Sequence, residues 1–201
     1  MIIKHLGKAP KIHSSAYIAP NAMICGDVTI GKDVRVMFGA QIIAENAPIV
    51  IGDNSIILEN AVIRGAESFP ISIGNNCLIG PNAHLVGCTL EENVFIATGV
   101  SVFHGAILKA GTEVRINAVV HLKTVLEEDS MVPISWIAIG NPAKILPPNK
   151  HEEIWELQKP LNFPLTLYEI ERPGDGDKNI MPGVCKKMGD RLKAHLEDEE
   201  L

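Results

Sequence analysis

The chain has 201 residues, 46% hydrophobic and only 4% aromatic, and its 18 basic and 24 acidic side chains give a net charge of −6. This composition is typical of one main globular domain and argues against disorder and against nucleic-acid binding through bulk positive charge. No apolar run approaches the roughly 18 residues of a membrane span, and the opening residues lack the apolar core of a secretory signal. We therefore expect no membrane association and a cytoplasmic location.

An aliphatic residue recurs at almost every sixth position along most of the chain. An α-helix cannot keep one face at that spacing, whereas short β-strands separated by tight corners can. Gly followed by Asp or Asn often comes after the aliphatic residue, as a tight corner requires. The repeat therefore predicts an all-β solenoid with an aliphatic core. The repeating positions are Ile12, Ile18, Ile24, Ile30, Val36, Ile42, Ile51, Ile57, Ile63, Ile73, Ile79, Leu85, Leu90, Ile96, Val102, Leu108, Val114, Val120, Leu126 and Val132.

Grouping the predicted strands in threes gives six to seven triangular coils. The six-residue spacing breaks in three places, each after the third strand of a coil: Ile42 to Ile51, Ile63 to Ile73, and Leu85 to Leu90. The three breaks therefore share one corner. Insertions in solenoids map to the binding face, so this corner is a candidate working edge; the alternative is a corner that merely tolerates insertions.

The boundary between two regions falls near residue 147, with a β-helix over residues 10–147 and a helical extension over residues 148–201. Residues 151–159 predict a helix that directs Ile154 and Trp155 towards the solenoid and ends at Pro160. Residues 162–179 have an irregular pattern with turn signals. A second amphipathic helix is expected at about 182–198, followed by a solvated acidic end. Its apolar positions are Val184, Met188, Leu192 and Leu196.

The four cysteines are scattered without a C-x-x-C pair, which excludes a zinc-finger spacing and a dense disulfide framework. We expect them to be reduced and mostly buried, and we interpret Cys88 as structural because nothing basic adjoins it in the sequence. The sequence also contains no nucleophile elbow, no P-loop and no dinucleotide-binding glycine motif.

With the repeat established, the stretches NAMICGDVTIGKDVRVMFGA, IVIGDNSIILENAVIRG, IGPNAHLVGCTL and AIGNPAKIL resemble the γ-class carbonic anhydrase-like family of left-handed β-helix proteins. The resemblance covers roughly residues 10 to 150. It implies a left-handed coil and a homotrimer with sites at the subunit interfaces. Each site of the family holds a zinc ion through three histidines.

The three zinc-histidine positions of the family correspond to Arg64, Pro81 and Val86. A catalytic zinc needs three protein donors and an open position for water. Arg64 is cationic, Pro81 has no side-chain donor and Val86 is inert, so we expect no metal at this corner. The supporting arginine and glutamine of the family fall at Ile43 and Leu58.

The substituted corner suggests a different ligand. Arg64 presents a planar cation suited to a carboxylate or phosphate, so a small anion with an apolar part is the expected ligand, with Glu45 and Glu59 as the acidic groups that remain. The alternative is a plain interface salt bridge from Arg64 to Glu59 or to a neighbouring subunit's Glu45. The expected apolar walls are Ile43, Leu58 and Val86.

His104 and His121 follow third-column strands on adjacent coils, with Phe103 between them, and are the candidate general bases. They could also form a displaced metal site or be ordinary corner histidines. We assign no role to the remaining histidines, which are His5, His13, His84, His151 and His195.

Three functions follow from these features. The first is a trimeric protein without the zinc site that binds a small anion or a partner at the subunit interface, with no cofactor. The second is an acyltransferase using acetyl-CoA or another acyl-CoA, since the closing segment Gly140 to Lys144 also resembles hexapeptide acyltransferases. The third is a carbonic anhydrase with other metal ligands. Packing of three copies would cover outward apolar side chains, namely Met37, Phe38, Phe95 and Phe103.

Overall fold

The computed structural model describes residues 1–66, 68–171 and 179–201. Short parallel strands wind into a left-handed β-helix of about eight turns with three faces, which confirms the predicted solenoid. The strands of the first face are Lys11–Ile12, Ile71–Ile73, Thr89–Leu90, Ile107–Leu108 and Val125–Leu126. Those of the second face are Tyr17–Ile18, Arg35–Val36, Ile56–Ile57, Leu78–Ile79, Phe95–Ile96, Glu113–Val114 and Met131–Val132. Those of the third face are Ile2–Lys4, Val62–Gly65, His84–Val86, Ser101–Val102, Val119–Val120 and Ile137–Ile139. Met23–Ile30 and Gln41–Ile51 each turn the corner from the third face to the first.

The aliphatic residues of the repeat form continuous ladders inside the solenoid. On the first face, Ile51 pairs with Ile30 on one side and Ile73 on the other. On the third face, Ile63 lies between Ile42 and Leu85. These side chains are fully buried, and each contributes about 1.5 to 3 kcal/mol of transfer free energy. The predicted grouping of strands into three columns is therefore confirmed.

Asn and Asp occupy many of the tight corners. Asn54, Asn76 and Asn82 have φ values of 59°, 56° and 56°, in the left-handed region that Asn tolerates better than most residues. The turn Leu58–Ala61 shows how a corner is closed, because Ala61 N–H donates to Leu58 O at 3.3 Å. These corners hold the strands at a regular spacing.

The N-terminal end contains one turn more than the six to seven coils that the sequence predicts. Strand Ile2–Lys4 precedes the repeat and pairs in parallel with Met23–Ile30, with Ile3 opposite Cys25. At the other end, strand Lys144–Leu146 turns back and pairs antiparallel with Ile137–Ile139. The closing segment therefore caps the last turn.

The C-terminal extension contains helices α1 (His151–Gln158), α2 (Phe163–Tyr168) and α3 (Met181–Leu192), with 3-10 turns at Lys159–Leu161 and Lys193–Glu197. Helix α2 falls in residues that we predicted as irregular, and the turn signals at residues 172–178 lie outside the described residues. Ile154 is buried as predicted, but Trp155 is 47% exposed. None of the helices in the described residues has the length and apolar character needed to span a bilayer.

The acidic C-terminal end is not simply solvated, as we had expected. Glu199–Glu200 forms a short strand that pairs antiparallel with Ile3 and Lys4, and Leu201 N–H donates to Ile2 O at 2.9 Å. The predicted second helix ends earlier than expected, at Leu192, and Leu196 is 81% exposed. The extension thus begins beside the last turn of the solenoid and ends paired with its first strand.

Candidate functional site

The candidate site lies at the corner where the chain leaves the third face. The residue that follows each inward aliphatic there stacks on its equivalent in the next turn: Cys25 lies opposite Ile43, Ile43 opposite Arg64, and Arg64 opposite Val86. Ile43 and Val86 therefore flank Arg64, as predicted. Leu58 belongs to the Leu58–Ala61 turn at another corner, so only a second copy of the chain could place it beside Arg64.

Arg64 forms an ion pair with Glu45 of the same chain. Its Nε donates to Glu45 Oε2 at 2.7 Å, and its Nη2 contacts the same oxygen. The predicted alternative placed Glu45 in a neighbouring subunit, but the long strand Gln41–Ile51 carries Glu45 around the corner next to Arg64. The side chains of Arg64 and Glu45 are 31% and 11% exposed, so the pair is partly shielded from water.

Pro81 and Glu59 lie at a different corner from Arg64. Asn82 N–H donates to Glu59 O at 3.0 Å, which places both residues in the turns between the second and third faces. Only a second copy of the chain could bring them towards Arg64. Within one chain, two of the family's zinc positions lie at the same corner. They carry Arg64, whose guanidinium is already paired with the Glu45 carboxylate, and the aliphatic Val86. These residues do not fit a zinc ion, which needs lone-pair donors.

A pocket of about 200 Å³ opens beside Arg64. Arg64, His84 and His104 supply its polar lining, and the C-terminal extension covers it. The pocket is small compared with typical ligand sites of 300 Å³ or more, so it suits a ligand of few atoms. The apolar or aromatic lining residues are Ala66, Val86, Phe103, Phe163, Leu167, Tyr168 and Met188.

The two histidines of this pocket are held in their neutral form. Burial, followed by the charges of Arg64 and His84, lowers the pKa of His104 to about 4. Burial and the Arg64 charge also lower the pKa of His84. We assigned His84 no role from the sequence, although side chains alternate along a strand and His84 therefore lies on the same side as Val86. This alternation could have predicted that His84 lies beside Arg64.

The ten-residue step between Ile63 and Ile73 carries Phe69, which packs against the His104 ring. The Phe69 ring meets the His104 ring edge to face, with centroids 5.4 Å apart. Gly87 makes this approach possible, because a Cβ on Gly87 would lie 2.4 Å from Phe69 Cβ. Gly87 also has a φ of 53°. The irregular steps at this corner therefore shape the pocket.

His121 lines a different pocket, so the two candidate histidines do not form one site. Its pocket of about 480 Å³ is bounded by Trp155, Lys159 and Phe163 of the extension. Phe103 separates the two histidines, with its ring 6.0 Å from that of His121 and 6.3 Å from that of Phe163. Phe103 is thus partly covered within the chain, and its predicted role as a trimer contact stays a prediction.

Among the described residues, His121 Nδ1 is buried without a hydrogen-bond partner. Burial lowers the pKa of His121, so the ring is neutral at pH 7.

The cysteines behave largely as the sequence predicts. All four are free thiols, and Cys25, Cys77 and Cys88 are buried while Cys185 is exposed. Burial raises the pKa of Cys88 to about 12, which opposes formation of the reactive thiolate. Burial, with Asp198 and Glu45 nearby, raises the pKa of Cys25 to about 11. Cys88 is therefore a structural residue.

Two family descriptions match parts of the chain: "Bacterial transferase hexapeptide (six repeats)" over residues 9–44 and "Hexapeptide repeat of succinyl-transferase" over residues 70–104. The chain is 30% identical over 153 residues to Gamma carbonic anhydrase 1, mitochondrial, of Arabidopsis thaliana, covering 73% of this chain and 54% of the relative. It is 27% identical over 159 residues to a carbonic anhydrase of Geobacillus kaustophilus, covering 79% and 84%. The chain spans little more than half the length of the plant relatives that it matches.

A solved structure extends the likeness to the helical extension. The hexapeptide transferase family protein from Anaplasma phagocytophilum is 26% identical with a TM-score of 0.55, covering 94% of this chain and 97% of that protein. The matches to carbonic anhydrases and to a hexapeptide transferase agree with the six-residue repeat. The chain is a γ-carbonic anhydrase-like protein of the hexapeptide-repeat β-helix superfamily.

Proposed function

We propose that this chain forms a trimer that does not hydrate carbon dioxide and that binds a small carboxylate or phosphate ligand at Arg64. The observation that carries the proposal is the position of Arg64, which replaces the first zinc histidine of the family and lines a small pocket. A guanidinium binds oxyanions through charge-assisted hydrogen bonds. A cation at this position also opposes binding of a metal ion.

The pairing of Arg64 supports an anion site rather than a closed salt bridge. Glu45 uses Nε and Nη2 of the guanidinium, which leaves the two N–H groups of Nη1 for a ligand oxygen. The Arg64 side chain is 31% exposed, so a ligand can approach it. The neutral rings of His84 and His104 also line the pocket.

The apolar lining favours a ligand with a short hydrocarbon part. Val86, Phe103 and Met188 line the pocket, and burying each methylene of a ligand against them contributes about 0.8 kcal/mol. A volume of about 200 Å³ limits the ligand to a few heavy atoms. A short-chain carboxylate such as butyrate combines both features.

Trimer formation is supported by the second face. Ile56, Leu78 and Phe95 stack in register along its centre, and Arg35 and Glu113 continue the same row on either side. An apolar row with a charged rim is typical of an interface. Light scattering should therefore give three times the chain mass, and a monomeric mass would contradict this part of the proposal.

Calorimetric titration with butyrate tests the ligand site. Wild-type protein should bind butyrate but not 1-butanol, because the alcohol has a similar chain without the carboxylate. Arg64→Gln should lose binding, whereas His121→Gln, in the other pocket, should keep it. Equal affinity for both compounds, or binding that survives Arg64→Gln, would contradict the proposal.

A second function, acyl transfer from acyl-CoA, is favoured by the environment of His121. A neutral imidazole with a buried Nδ1 that lacks a partner among the described residues lines a pocket of about 480 Å³. A neutral imidazole can act as a general base towards an acceptor. The similar Anaplasma phagocytophilum structure is described as a hexapeptide transferase family protein.

Acetyl-CoA separates the two functions. If the chain is an acyltransferase, acetyl-CoA at 100 times its Kd stabilises the folded state by about 2.7 kcal/mol and raises the melting temperature. His121→Gln should then remove turnover without abolishing that shift. An unchanged melting temperature at millimolar acetyl-CoA would argue against this second function.

A further inference from the structure

Four metal-ligating side chains converge where the C-terminal end meets the first turns of the solenoid. They are His5, Cys25, His195 and Asp198, and one donor atom from each lies within 4.8 Å of all the others. They come from three distant parts of the chain. The sequence analysis assigned no role to either histidine, because only the folded extension brings residues 195 and 198 back to the N-terminal strand.

The hydrogen bonds of His5 fix which of its ring nitrogens can bind a metal. His5 Nε2 lies 2.8 Å from the backbone oxygen of Glu45. A carbonyl oxygen only accepts hydrogen bonds, so Nε2 must carry the proton, and in the neutral ring the lone pair is then on Nδ1. A second ring nitrogen held by a backbone carbonyl is the usual arrangement of a metal-ligating histidine.

That lone pair points at a carboxylate. His5 Nδ1 is 2.5 Å from Asp198 Oδ1, and His195 Nδ1 is 2.8 Å from Asp198 Oδ2. The two rings are stacked with their centroids 4.3 Å apart. With an ionised Asp198, a hydrogen bond at each of these contacts requires a proton on Nδ1, although the neutral His5 ring carries its proton on Nε2. A cation bound by both Nδ1 atoms and the carboxylate removes that requirement.

We infer that these four residues form a binding site for a thiophilic divalent metal ion such as Zn²⁺, two turns away from Arg64 along the same corner. The ligands would be Nδ1 of His5 and of His195, one carboxylate oxygen of Asp198 and the sulfur of Cys25, whose thiol proton passes to solvent on binding. Two nitrogens, one sulfur and one oxygen match the preferences of zinc and not those of Ca²⁺ or Mg²⁺.

Burial divides the site into two halves. His5 and Cys25 are 1% and 2% exposed and belong to the solenoid, whereas His195 and Asp198 belong to the partly exposed C-terminal end. A bound metal would therefore tie the end of the extension to the first turns. The effect is structural, because four protein ligands leave no open position for a substrate.

Cobalt titration of the chelator-treated full chain tests this inference. We expect about one equivalent of Co²⁺ to produce the visible spectrum of a four-coordinate site together with a near-ultraviolet thiolate-to-cobalt band. Zn²⁺ should displace it. Cys25→Ser should lose the near-ultraviolet band, and the matched variant at the exposed cysteine, Cys185→Ser, should keep it. His195→Ala should weaken Co²⁺ binding at least roughly tenfold.

The wild-type spectrum alone can overturn the inference. If saturating Co²⁺ gives no thiolate band, or if Cys25→Ser retains the band, the four residues are not the ligands. Circular dichroism distinguishes a misfolded Cys25→Ser chain from one that lacks only the ligand. Cys25 and His195 do not line the pocket of about 200 Å³ beside Arg64, so Co²⁺ titration and butyrate titration of the same variants report on the two proposals separately.

Discussion

The ion pair at the candidate site predicts unequal effects for its two partners. Arg64→Gln removes the main cation beside Glu45, whose side chain is only 11% exposed. His195 Nε2 lies 3.9 Å from Glu45 Oε1, which is too far for a hydrogen bond. An uncompensated, largely buried carboxylate costs about 2 to 3 kcal/mol. Glu45→Gln leaves an arginine that is 31% exposed and can reach water, so its loss should be nearer 1 kcal/mol.

Thermal unfolding at one fixed protein concentration measures this asymmetry, because the stability of an oligomer depends on concentration. For a chain of this size, 2 kcal/mol lowers the melting temperature by roughly 4 to 8 °C. The double variant should lose less than the sum of the single losses, because both remove the same interaction.

Ligand binding should change in opposite directions in the same two variants. Arg64→Gln removes the group that holds the carboxylate, whereas Glu45→Gln removes a competing charge worth about 1 kcal/mol and should tighten butyrate binding roughly threefold to tenfold. If Glu45→Gln destabilises the protein more than Arg64→Gln, or weakens butyrate binding, the assignment of the pair is wrong.

Three further predictions concern the surroundings of the site. Gly87→Ala should lower the free energy of unfolding by about 1 to 3 kcal/mol, because φ is 53° and the new Cβ would meet Phe69. Gly189→Ala is the control, since nothing lies within 4 Å of a Cβ at that position. Equal free energies of unfolding for the two variants would refute the steric argument. His104 has a pKa lowered by burial from 6.5 to about 4, so between these values the unfolded chain binds a proton that the folded chain does not. The stability that the neutral His104 contributes is therefore fully present above pH 6.5 and falls as the pH drops towards 4. His104→Gln should reduce this loss of stability, which urea unfolding at several pH values measures. An unchanged pH profile would refute the role of His104. Deletion of residues 199–201 removes the strand paired with Ile3 and Lys4 and should speed amide exchange at residues 2–4 but not at Ile63; unchanged exchange at residues 2–4 would show that the pairing contributes no protection.

The repeat made most of the fold predictable from the sequence. One inward aliphatic residue in every six fixes the strand positions and the shared corner, because each register shift would turn these residues outward. The extra N-terminal turn was missed because Ile2–Lys4 precedes the repeat. Helix α2 was missed because Pro164 lies in its first turn, where proline is tolerated although it reads as a helix breaker.

The candidate site was predictable only in part. The stacking of Ile43, Arg64 and Val86 follows from their equal offsets after the third-column aliphatics. The pairing of Arg64 with Glu45 of the same chain was not predictable, because it depends on the path of the nine-residue step that follows Ile42. The cover from Leu167 and Met188, and the meeting of His5 with His195, depend on how the extension packs. No local pattern encodes contacts between residues so far apart in sequence.

If Arg64 has replaced the zinc chemistry of this family, the chain should not hydrate carbon dioxide. Stopped-flow spectroscopy with Zn²⁺ supplied measures this rate most directly, with the carbonic anhydrase of Geobacillus kaustophilus as a positive control. We expect a rate equal to that of buffer alone. A rate that rises in proportion to the concentration of this protein would contradict it.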